Sequence, residues 1–262
     1  MSAISLSSWR RLEHSYDLLR ELVARDLKMR YKRSIFGFAW SMINPLAQIL
    51  MFTFLFNKVL PLNIPNYTAF VFTGVLAWSW FSSALLSAPG TIVYNGELVR
   101  RPGFPVSVLP IVTVTTNGIH YLLALPILVI FAVAGGGGIQ ATILALPLII
   151  ALQFCITLGL TYMIAASHVR FRDTQHIVNL VVMLGFYITP VFYHAGSVPD
   201  QYRLVYDLNP MAALLTSYRA VLIDGQWPSP LSIVSLSVIS AVLLILGYII
   251  FDKASARFVE EL

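Results

Sequence analysis

The chain has 262 residues, of which 58% are hydrophobic and only 11% are charged, and its mean hydropathy is +0.78. Because soluble domains carry roughly 25% charged residues, this composition excludes a soluble protein and indicates an integral membrane protein. The net charge of +5 does not indicate nucleic-acid binding, because the basic residues collect where apolar segments end, as expected beside anionic lipid. The single cysteine, Cys155, excludes an internal disulfide.

The N-terminal segment, residues 1–33, predicts an amphipathic helix. Apolar side chains recur in steps of three and four from Trp9 to Tyr31, which is the spacing of one helix face. The positions between them are mostly charged, and a face of that kind does not enter the bilayer core. We therefore predict a cytoplasmic helix that lies along the membrane interface. The alternative is a helix packed against a soluble partner.

Six apolar segments follow, each bounded by charged or turn-forming residues. Residues 34–57, for example, contain no Asp, Glu, Lys or Arg, and about 20 apolar residues suffice for a helix to cross a bilayer. The longer uncharged interval between Arg101 and Arg170 holds two spans, separated by four glycines at residues 135–138. Residues 34–262 are thus expected to form a single transmembrane domain of an all-α membrane protein. The predicted spans cover residues 35–57, 67–88, 106–134, 139–167, 177–193 and 231–251.

The distribution of basic residues predicts the orientation. Six spans put both termini on one side of the membrane, and among the 17 Lys and Arg only Lys58, Arg203 and Arg219 then lie on the other side. Lys and Arg in short loops are retained in the cytoplasm. Both termini are therefore predicted to be cytoplasmic.

Two cytoplasmic connecting segments are more structured than plain loops. Residues 95–105 predict a turn, one or two charged helical turns and a Pro-Gly stop. Such a segment fits docking into another protein, and the alternative is a solvated loop held by its positive charge. Residues 168–173 predict a tight turn between the fourth and fifth spans, in which the charged residues form either an internal ion pair or a second partner contact.

The segment after the fifth span predicts two short helices. Ser197 is followed by Pro199 and Asp200, and Asn209 by Pro210, so each group supplies a side-chain cap and a proline suited to a first helical turn. The second helix, ending near Ile223, has about half the length needed to cross a bilayer. The pair is therefore expected to be re-entrant from the outer face. Such backbone needs a protein cover or a cavity, which implies a conduit shared with a second subunit.

Catalytic and nucleotide-binding motifs are absent from the sequence. There is no phosphate-binding GxxxxGK[ST] loop, no HExxH, no GxSxG, no paired metal ligands and no carboxylate in the first four spans. His120 and His168 lie at or near span ends, where hydrogen-bonded structural histidines are the favoured interpretation. A membrane enzyme and an ion-coupled carrier are both disfavoured. Energy for transport must then come from another protein.

Five segments in family order resemble the membrane subunits of ABC-2 type exporters, in particular the permeases for lipid-linked polysaccharides such as O-antigen, teichoic acid and capsule. The segments are RDLKMRYKRSIFGFAWSMINP, RRPGFPVSVLP, VRFRDTQHIVNL, YITPVFY and NPM…YRAVL, and the resemblance covers essentially the whole chain. It implies a transport subunit rather than an enzyme, with no cofactor of its own, because ATP and Mg belong to a separate ATPase subunit.

The resemblance further implies two permeases with two ATPases in the plasma membrane of a bacterium. The partners implied are the ATPase, membrane lipid and an undecaprenyl-diphosphate-linked glycan, with no nucleic acid. Two alternatives remain: an ABC-2 permease for a drug or another lipid, and a membrane-embedded enzyme of glycan assembly.

The resemblance also assigns roles to the connecting segments. The cytoplasmic segments resemble the surface that contacts the ATPase subunit, and the outer helix pair resembles a periplasmic gate. The expected ATPase contacts are Glu97, Leu98, Arg100, Arg101, Phe104, Arg170, Arg172 and Asp173. The expected gate residues are Asp200, Tyr202, Asn209, Pro210 and Tyr218.

Two further sets are hypotheses about the substrate. Arg25, Arg30 and Arg33 are expected to attract the lipid diphosphate at the cytoplasmic entrance, since guanidinium groups pair with phosphate oxygens. Positive-inside anchoring is the alternative. Aromatic rings are expected to line the glycan path, because apolar sugar faces stack on them, and an interfacial belt or ordinary packing is the alternative. The path residues are Trp40, Phe52, Phe70, Trp78, Trp80, Phe81, Tyr187 and Tyr193.

Overall fold

The computed structural model describes residues 3–32, 39–59, 64–134, 140–194, 196 and 198–262. Within these ranges the chain forms helices and connecting turns without a strand, which confirms the all-α prediction. Arg33, the glycines at 135–138 and Ser197 lie outside the described residues.

The described residues of the first half of the chain form six α-helices. They are α1 (Ala3–Tyr31), α2 (Ala39–Phe54), which continues as a π-helical turn (Leu55–Val59), α3 (Tyr67–Ser87), α4 (Gly90–Val93), α5 (Gly96–Val99) and α6 (Val108–Ala134). The described residues of the second half form another six. They are α7 (Leu146–Arg170), preceded by a 3-10 turn (Ala141–Ala145), α8 (Thr174–Ile188), α9 (Arg203–Asp207), preceded by a 3-10 turn (Asp200–Tyr202), α10 (Pro210–Leu222), α11 (Pro230–Ser255) and α12 (Phe258–Glu261).

Four helical stretches in the described chain are long and apolar enough to cross a membrane. They are Tyr67–Ser87, Val108–Val133, Ala141–Arg170 and Pro230–Ser255. These stretches coincide with the predicted second, third, fourth and sixth spans. The predicted first and fifth spans correspond to shorter apolar helices, α2 and α8.

Helix α8 ends earlier than the predicted boundary at residue 193. Its last residue is Ile188, and Thr189 is already extended, with φ −78° and ψ 137°. The next residue is Pro190, and a proline disfavours the helical conformation of the residue before it. Residues 189–194 therefore form a non-helical segment that runs beside α3.

Helix α3 lies at the centre of the structure. Apolar side chains cover its whole circumference, and most residues of the helix are buried, as expected for a helix surrounded by others. Two hydrogen bonds to backbone carbonyls fix its neighbours: the Trp80 indole donates to Val114 of α6 at 3.1 Å, and the Gln153 amide of α7 donates to Ala77 at 2.9 Å.

Helices α7 and α11 pack closely because glycines face each other across their contact. A Cβ atom added to Gly159 would lie 2.5 Å from the Leu243 carbonyl, and one added to Gly247 would collide with the carbonyl of Gly159. Small residues of this kind allow helix backbones to approach in membranes. The ring of Tyr162 extends the contact, with its centroid 5.0 Å from that of Phe251.

We expect Gly247→Ala to lower the melting temperature of the purified protein in detergent. The added methyl group has no room against the backbone of α7, and overpacking of this kind costs about 1–3 kcal/mol. Thermal unfolding checks this, with Ile245→Ala as the control, because Ile245 lies on the same helix and is 58% exposed. Equal melting temperatures for the two variants would contradict the close packing.

Candidate functional site

One end of the helix bundle carries a groove beside α5. The groove has a volume of about 400 Å³, and we call it the α5 groove. Helix α5 is a single turn, as its sequence predicts, and the chain turns away from it at Gly103, whose φ of +78° favours glycine. The charged and apolar side chains around the groove come from four parts of the chain: Arg25, Glu97, Leu98, Arg100, Arg172 and Leu262.

The α5 groove brings together both predicted ATPase-contact segments. Glu97, Leu98 and Arg100 come from the first segment, and Arg172 comes from the second. The other predicted contacts lie outside the lining: Arg101 and Phe104 follow α5, Asp173 precedes α8, and the Arg170 guanidinium lies 5.3 Å from the Phe171 ring.

Internal ion pairing does not explain the charges of residues 168–173. Within the described part of the chain, the ion pair found joins Arg203 and Asp200, at 3.6 Å. His168, at the end of α7, is buried, and its Nδ1 atom has no hydrogen-bond partner, so its predicted hydrogen bonding stays a prediction. The partner contact of this turn stays a prediction.

The C-terminal helix α12 belongs to this end of the bundle, which sequence analysis missed. Phe258 is 1% exposed and its ring packs on Phe251 at a centroid distance of 5.3 Å. This anchor places Leu262 next to α5, where its side chain lines the groove. A four-residue helix at the end of a chain gives no sequence signal that distinguishes it from a frayed terminus.

A second cavity, of about 470 Å³, lies between the end of α1 and helices α2, α3 and α6. We call it the polar cavity. Polar and aromatic side chains dominate its lining, which includes Arg30, Tyr31, Trp40, Asn44, Gln48, Ser79, Ser82, Ser83, Trp80, Asn117, His120 and Tyr121.

Helical periodicity explains why these polar side chains meet. Asn44 and Gln48 are four residues apart on α2, Ser79 and Ser83 are four apart on α3, and Asn117 lies three residues before His120 on α6. Such spacings place side chains on one helix face. Polar residues of apolar helices face the bundle interior or a water-filled cavity, where they mark substrate pathways.

Hydrogen bonds attach the end of α1 to α6 at this cavity. The Arg30 Nη1 donates to the Oδ1 of Asn117 at 3.1 Å, and the Asn117 amide donates in turn to the Thr113 carbonyl at 2.8 Å. The Tyr31 hydroxyl lies 3.1 Å from the Nε2 of His120, which confirms that His120 is hydrogen-bonded. The two bonded pairs hold α1 against the wall of the cavity.

The three arginines predicted at the lipid entrance do not form one cluster in the described structure. Arg30 lines the polar cavity. Arg25 lines the α5 groove instead, where its Nη2 donates to the Oδ1 of Asn95 at 2.8 Å. Arg33 lies outside the described residues.

The predicted glycan-path aromatics fall into two groups. Trp40 and Trp80 line the polar cavity. The others belong to a cluster that also contains rings missed by sequence analysis, among them Phe56, Tyr67, Phe186 and Phe192.

The stacked core of this cluster joins α2 to the segment after α8. Phe52 and Phe192 are parallel within 4° at 5.3 Å, and Phe186 lies 5.8 Å from Phe192 and 6.0 Å from Trp78. The remaining path residues extend the cluster through their own ring contacts: Phe81 against Trp78, Tyr187 against Phe186, Tyr193 against Phe192, and Phe70 through Tyr67 and Phe56.

The predicted gate residues lie in different environments. The Oδ1 of Asn209 accepts from the backbone N–H of Met211 at 3.0 Å and Pro210 begins α10, which confirms the predicted cap. Asp200 and Tyr202 are exposed in the 3-10 turn before α9. Tyr218 is instead fully buried, with its ring 5.9 Å from that of Tyr121.

Arg219 is a buried residue that sequence analysis placed in a connecting segment without a role. Its Nη1 donates to the Pro190 carbonyl and its Nη2 to the Val191 carbonyl, both at 2.7 Å, and the guanidinium lies 3.5 Å from the centroid of the Phe70 ring. Arg219 is 6% exposed, and its guanidinium remains charged because arginine is not deprotonated in proteins. The sequence feature that could have identified Arg219 is that it is the single charged residue of the apolar helix α10.

We expect Arg219→Leu to destabilise the protein strongly. The change leaves buried carbonyls without donors, and each such loss costs about 1–3 kcal/mol. The control is Arg203→Leu, because the side chain of Arg203 is 71% exposed and its ion pair with Asp200 is a surface pair worth about 0–1 kcal/mol. Thermal unfolding in detergent compares them, and similar melting temperatures would contradict the role given to Arg219.

Comparison with known proteins identifies the class of molecule to which this helical bundle and its two sites belong. Residues 17–223 match the ABC-2 type transporter family, so the chain belongs to this family of multi-pass membrane proteins. Membership implies the membrane component of an ABC transporter, which works with an ATPase partner.

Individual relatives align over nearly the whole chain. The O-antigen export system permease protein RfbA of Myxococcus xanthus is 36% identical over 94% of this chain and 95% of its own length. The protein of the same name from Klebsiella pneumoniae is 33% identical over 99% of this chain and 100% of its own length. The polysialic acid transport protein KpsM of Escherichia coli is 20% identical over 88% of this chain and 90% of its own length.

Proposed function

We propose that this chain is the permease subunit of an ATP-driven exporter that moves a lipid-linked polysaccharide from the cytoplasmic side across the bacterial plasma membrane. The observation that carries this function is end-to-end similarity to O-antigen export permeases, together with the more distant similarity to a polysialic acid transport protein. Both names describe polysaccharide transport. They favour this substrate class over a drug or another lipid.

The proposed topology has six spans with both termini in the cytoplasm. The four long apolar stretches supply four crossings, and we propose that α2 with its π-helical continuation (residues 39–59) and α8 with the non-helical residues 189–194 supply two more. Helix α1 then lies along the cytoplasmic interface, with Val23 buried against the bundle and Tyr16 67% exposed. Helices α9 and α10 are too short to cross a bilayer and form the re-entrant pair at the outer face.

The α5 groove is the proposed docking site for the ATPase subunit. Among the described residues of its lining, three arginine side chains outnumber the one acidic side chain, Glu97, so the groove favours an acidic partner surface. In the complete transporter two permeases join two ATPases, and ATP and Mg are bound by the ATPase. The permease itself has no catalytic role.

The aromatic cluster and the re-entrant pair form the proposed exit route. Rings of Phe52, Phe186 and Phe192 offer apolar faces on which sugars stack, and the exposed Tyr187 continues them toward a second permease copy. Asp200 and Tyr202 are exposed at the outer end and belong to the gate. Tyr218 positions the gate helix through its packing with Tyr121.

ATP turnover in proteoliposomes tests the proposed function. The permease is reconstituted with its ATPase partner, and turnover is measured with an undecaprenyl-diphosphate glycan or with undecaprenyl phosphate alone. We expect several-fold stimulation by the glycan only. Turnover indifferent to the glycan would overturn the polysaccharide assignment.

We expect the double change Arg100→Glu and Arg172→Glu to weaken ATPase binding roughly tenfold and to abolish glycan-stimulated turnover. Reversing two charges in the α5 groove makes it repel the acidic surface that it is proposed to bind. Co-purification with a tagged ATPase subunit measures the effect. The control is Arg203→Glu, the same charge reversal at the exposed start of α9. Unchanged co-purification of the double variant would exclude the groove as the docking site.

We expect single cysteines to report the orientation in spheroplasts. In a Cys155→Ser background, Lys58→Cys and Arg203→Cys should react with a membrane-impermeant maleimide. Lys253→Cys should react only after the membrane is permeabilised. The reverse pattern would contradict cytoplasmic termini.

A further inference from the structure

We infer that the polar cavity binds the phosphate-linked first sugar of the lipid carrier, so that the permease recognises a sugar ring and its phosphate together. This inference rests on the proposed polysaccharide-export function and adds a binding site and a ligand chemistry to it. Four independent features of the cavity support it: its chemistry, its charge, its size and its depth.

The chemistry of the cavity wall matches a sugar. Asn44 and Gln48 of α2 contribute two amides, and Ser79 and Ser83 of α3 contribute hydroxyls from the facing side. Amides and hydroxyls donate and accept hydrogen bonds at once, as sugar hydroxyls do. Trp40, which is 47% exposed, adds an aromatic ring of the kind on which the apolar face of a sugar packs. A lipid tail alone cannot form hydrogen bonds with these polar groups.

The charge of the cavity matches a phosphate. Among the described residues of the lining, Arg30 carries the guanidinium, and its hydrogen bond to the neutral Asn117 does not neutralise its charge. Asp26, one turn earlier on α1, acts electrostatically on His120 but does not itself line the cavity. A guanidinium offers several N–H donors in a planar fork that suits phosphate oxygens, so one bond to Asn117 does not exhaust it.

The size of the cavity limits the ligand. A volume of about 470 Å³ falls within the roughly 300–1,000 Å³ of small-molecule sites. One sugar with its phosphate fits this range, and a polysaccharide does not. The cavity therefore selects the carrier-linked end of the glycan rather than its repeating part.

The depth of the cavity matches a lipid-linked ligand. Ser79 and Ser83 lie eight and four residues before the end of α3 at Ser87, which corresponds to about 6–12 Å along a helix. In the proposed topology α3 ends at the cytoplasmic membrane surface, where interfacial groups reach about 5–10 Å into the boundary between headgroups and acyl chains. A lipid carrier can therefore keep its hydrocarbon chain in the bilayer while its phosphate and first sugar enter the cavity.

Direct binding to the purified permease tests this site without the ATPase. The permease is held in phosphatidylcholine nanodiscs and titrated with an N-acetylglucosaminyl diphosphate on a 15-carbon prenyl chain. The same prenyl diphosphate without sugar is the second probe, and nanodiscs containing phosphatidylglycerol are the third arm. Native mass spectrometry counts the bound probe. We expect the sugar-bearing probe to bind at least tenfold more tightly, and phosphatidylglycerol not to compete.

Variants separate the two halves of the ligand. Gln48→Ala and Ser83→Ala should each weaken the sugar-bearing probe several-fold and leave the sugar-free probe unchanged, whereas Arg30→Gln should weaken both. Gln175→Ala is the matched control, because Gln175 is partly exposed on α8 and bonds to Asn179 outside the cavity. Melting temperatures of all variants exclude misfolding as the cause.

Each contrary result has a distinct meaning. Equal binding of both probes would overturn sugar recognition, and displacement by phosphatidylglycerol would make the cavity a general anionic-lipid site. Unchanged binding in Gln48→Ala, Ser83→Ala and Arg30→Gln would remove the cavity as the site. If glycan-stimulated ATP turnover persists in these cases, the exporter function stands and only the inference fails.

Discussion

The arrangement of the central helices depends on the buried guanidinium of Arg219. This side chain joins three elements, since it donates to the carbonyls of Pro190 and Val191 and stacks on Phe70 of α3. A chain that leaves helical geometry inside a membrane exposes carbonyls that lipid cannot satisfy, and each unsatisfied group is costly. The break at Thr189 and Pro190 is therefore stable because α10 supplies a charged donor. Gly74 completes the fit, because a Cβ atom there would lie 2.8 Å from the Arg219 guanidinium.

Polar groups elsewhere in the bundle lie at two sites that differ in charge and in exposure. The α5 groove presents charges on exposed side chains, as a surface that meets another protein does. The polar cavity presents amides and hydroxyls between helices and, among its described residues, the guanidinium of Arg30. In the proposed exporter, the groove meets the ATPase and the cavity holds part of the molecule that is moved. Their separation explains why arginines that look alike in sequence have different environments.

Sequence alone predicted the elements whose signals are local. The length of the apolar segments predicted the four long spans, and the Asn209 cap followed by Pro210 predicted the start of α10. The end of α8 was misplaced because the apolar pattern continues through residues that Pro190 forces out of the helix. Sequence analysis did not predict which of the expected ATPase contacts lie together, because the approach of Arg172 and Leu262 to α5 depends on tertiary packing. Arg219 was missed for the same reason, because its partners lie more than 25 residues away in sequence.

Helix α1 forms hydrogen bonds at both sites. It is one continuous helix of 29 residues, about 43 Å long, and it is bonded to both sites through side chains five residues apart, Arg25 to Asn95 and Arg30 to Asn117. An α-helix is a rigid element over so short a distance. In the proposed exporter, a displacement of α1 by the ATPase at the α5 groove would therefore also displace Arg30 in the polar cavity.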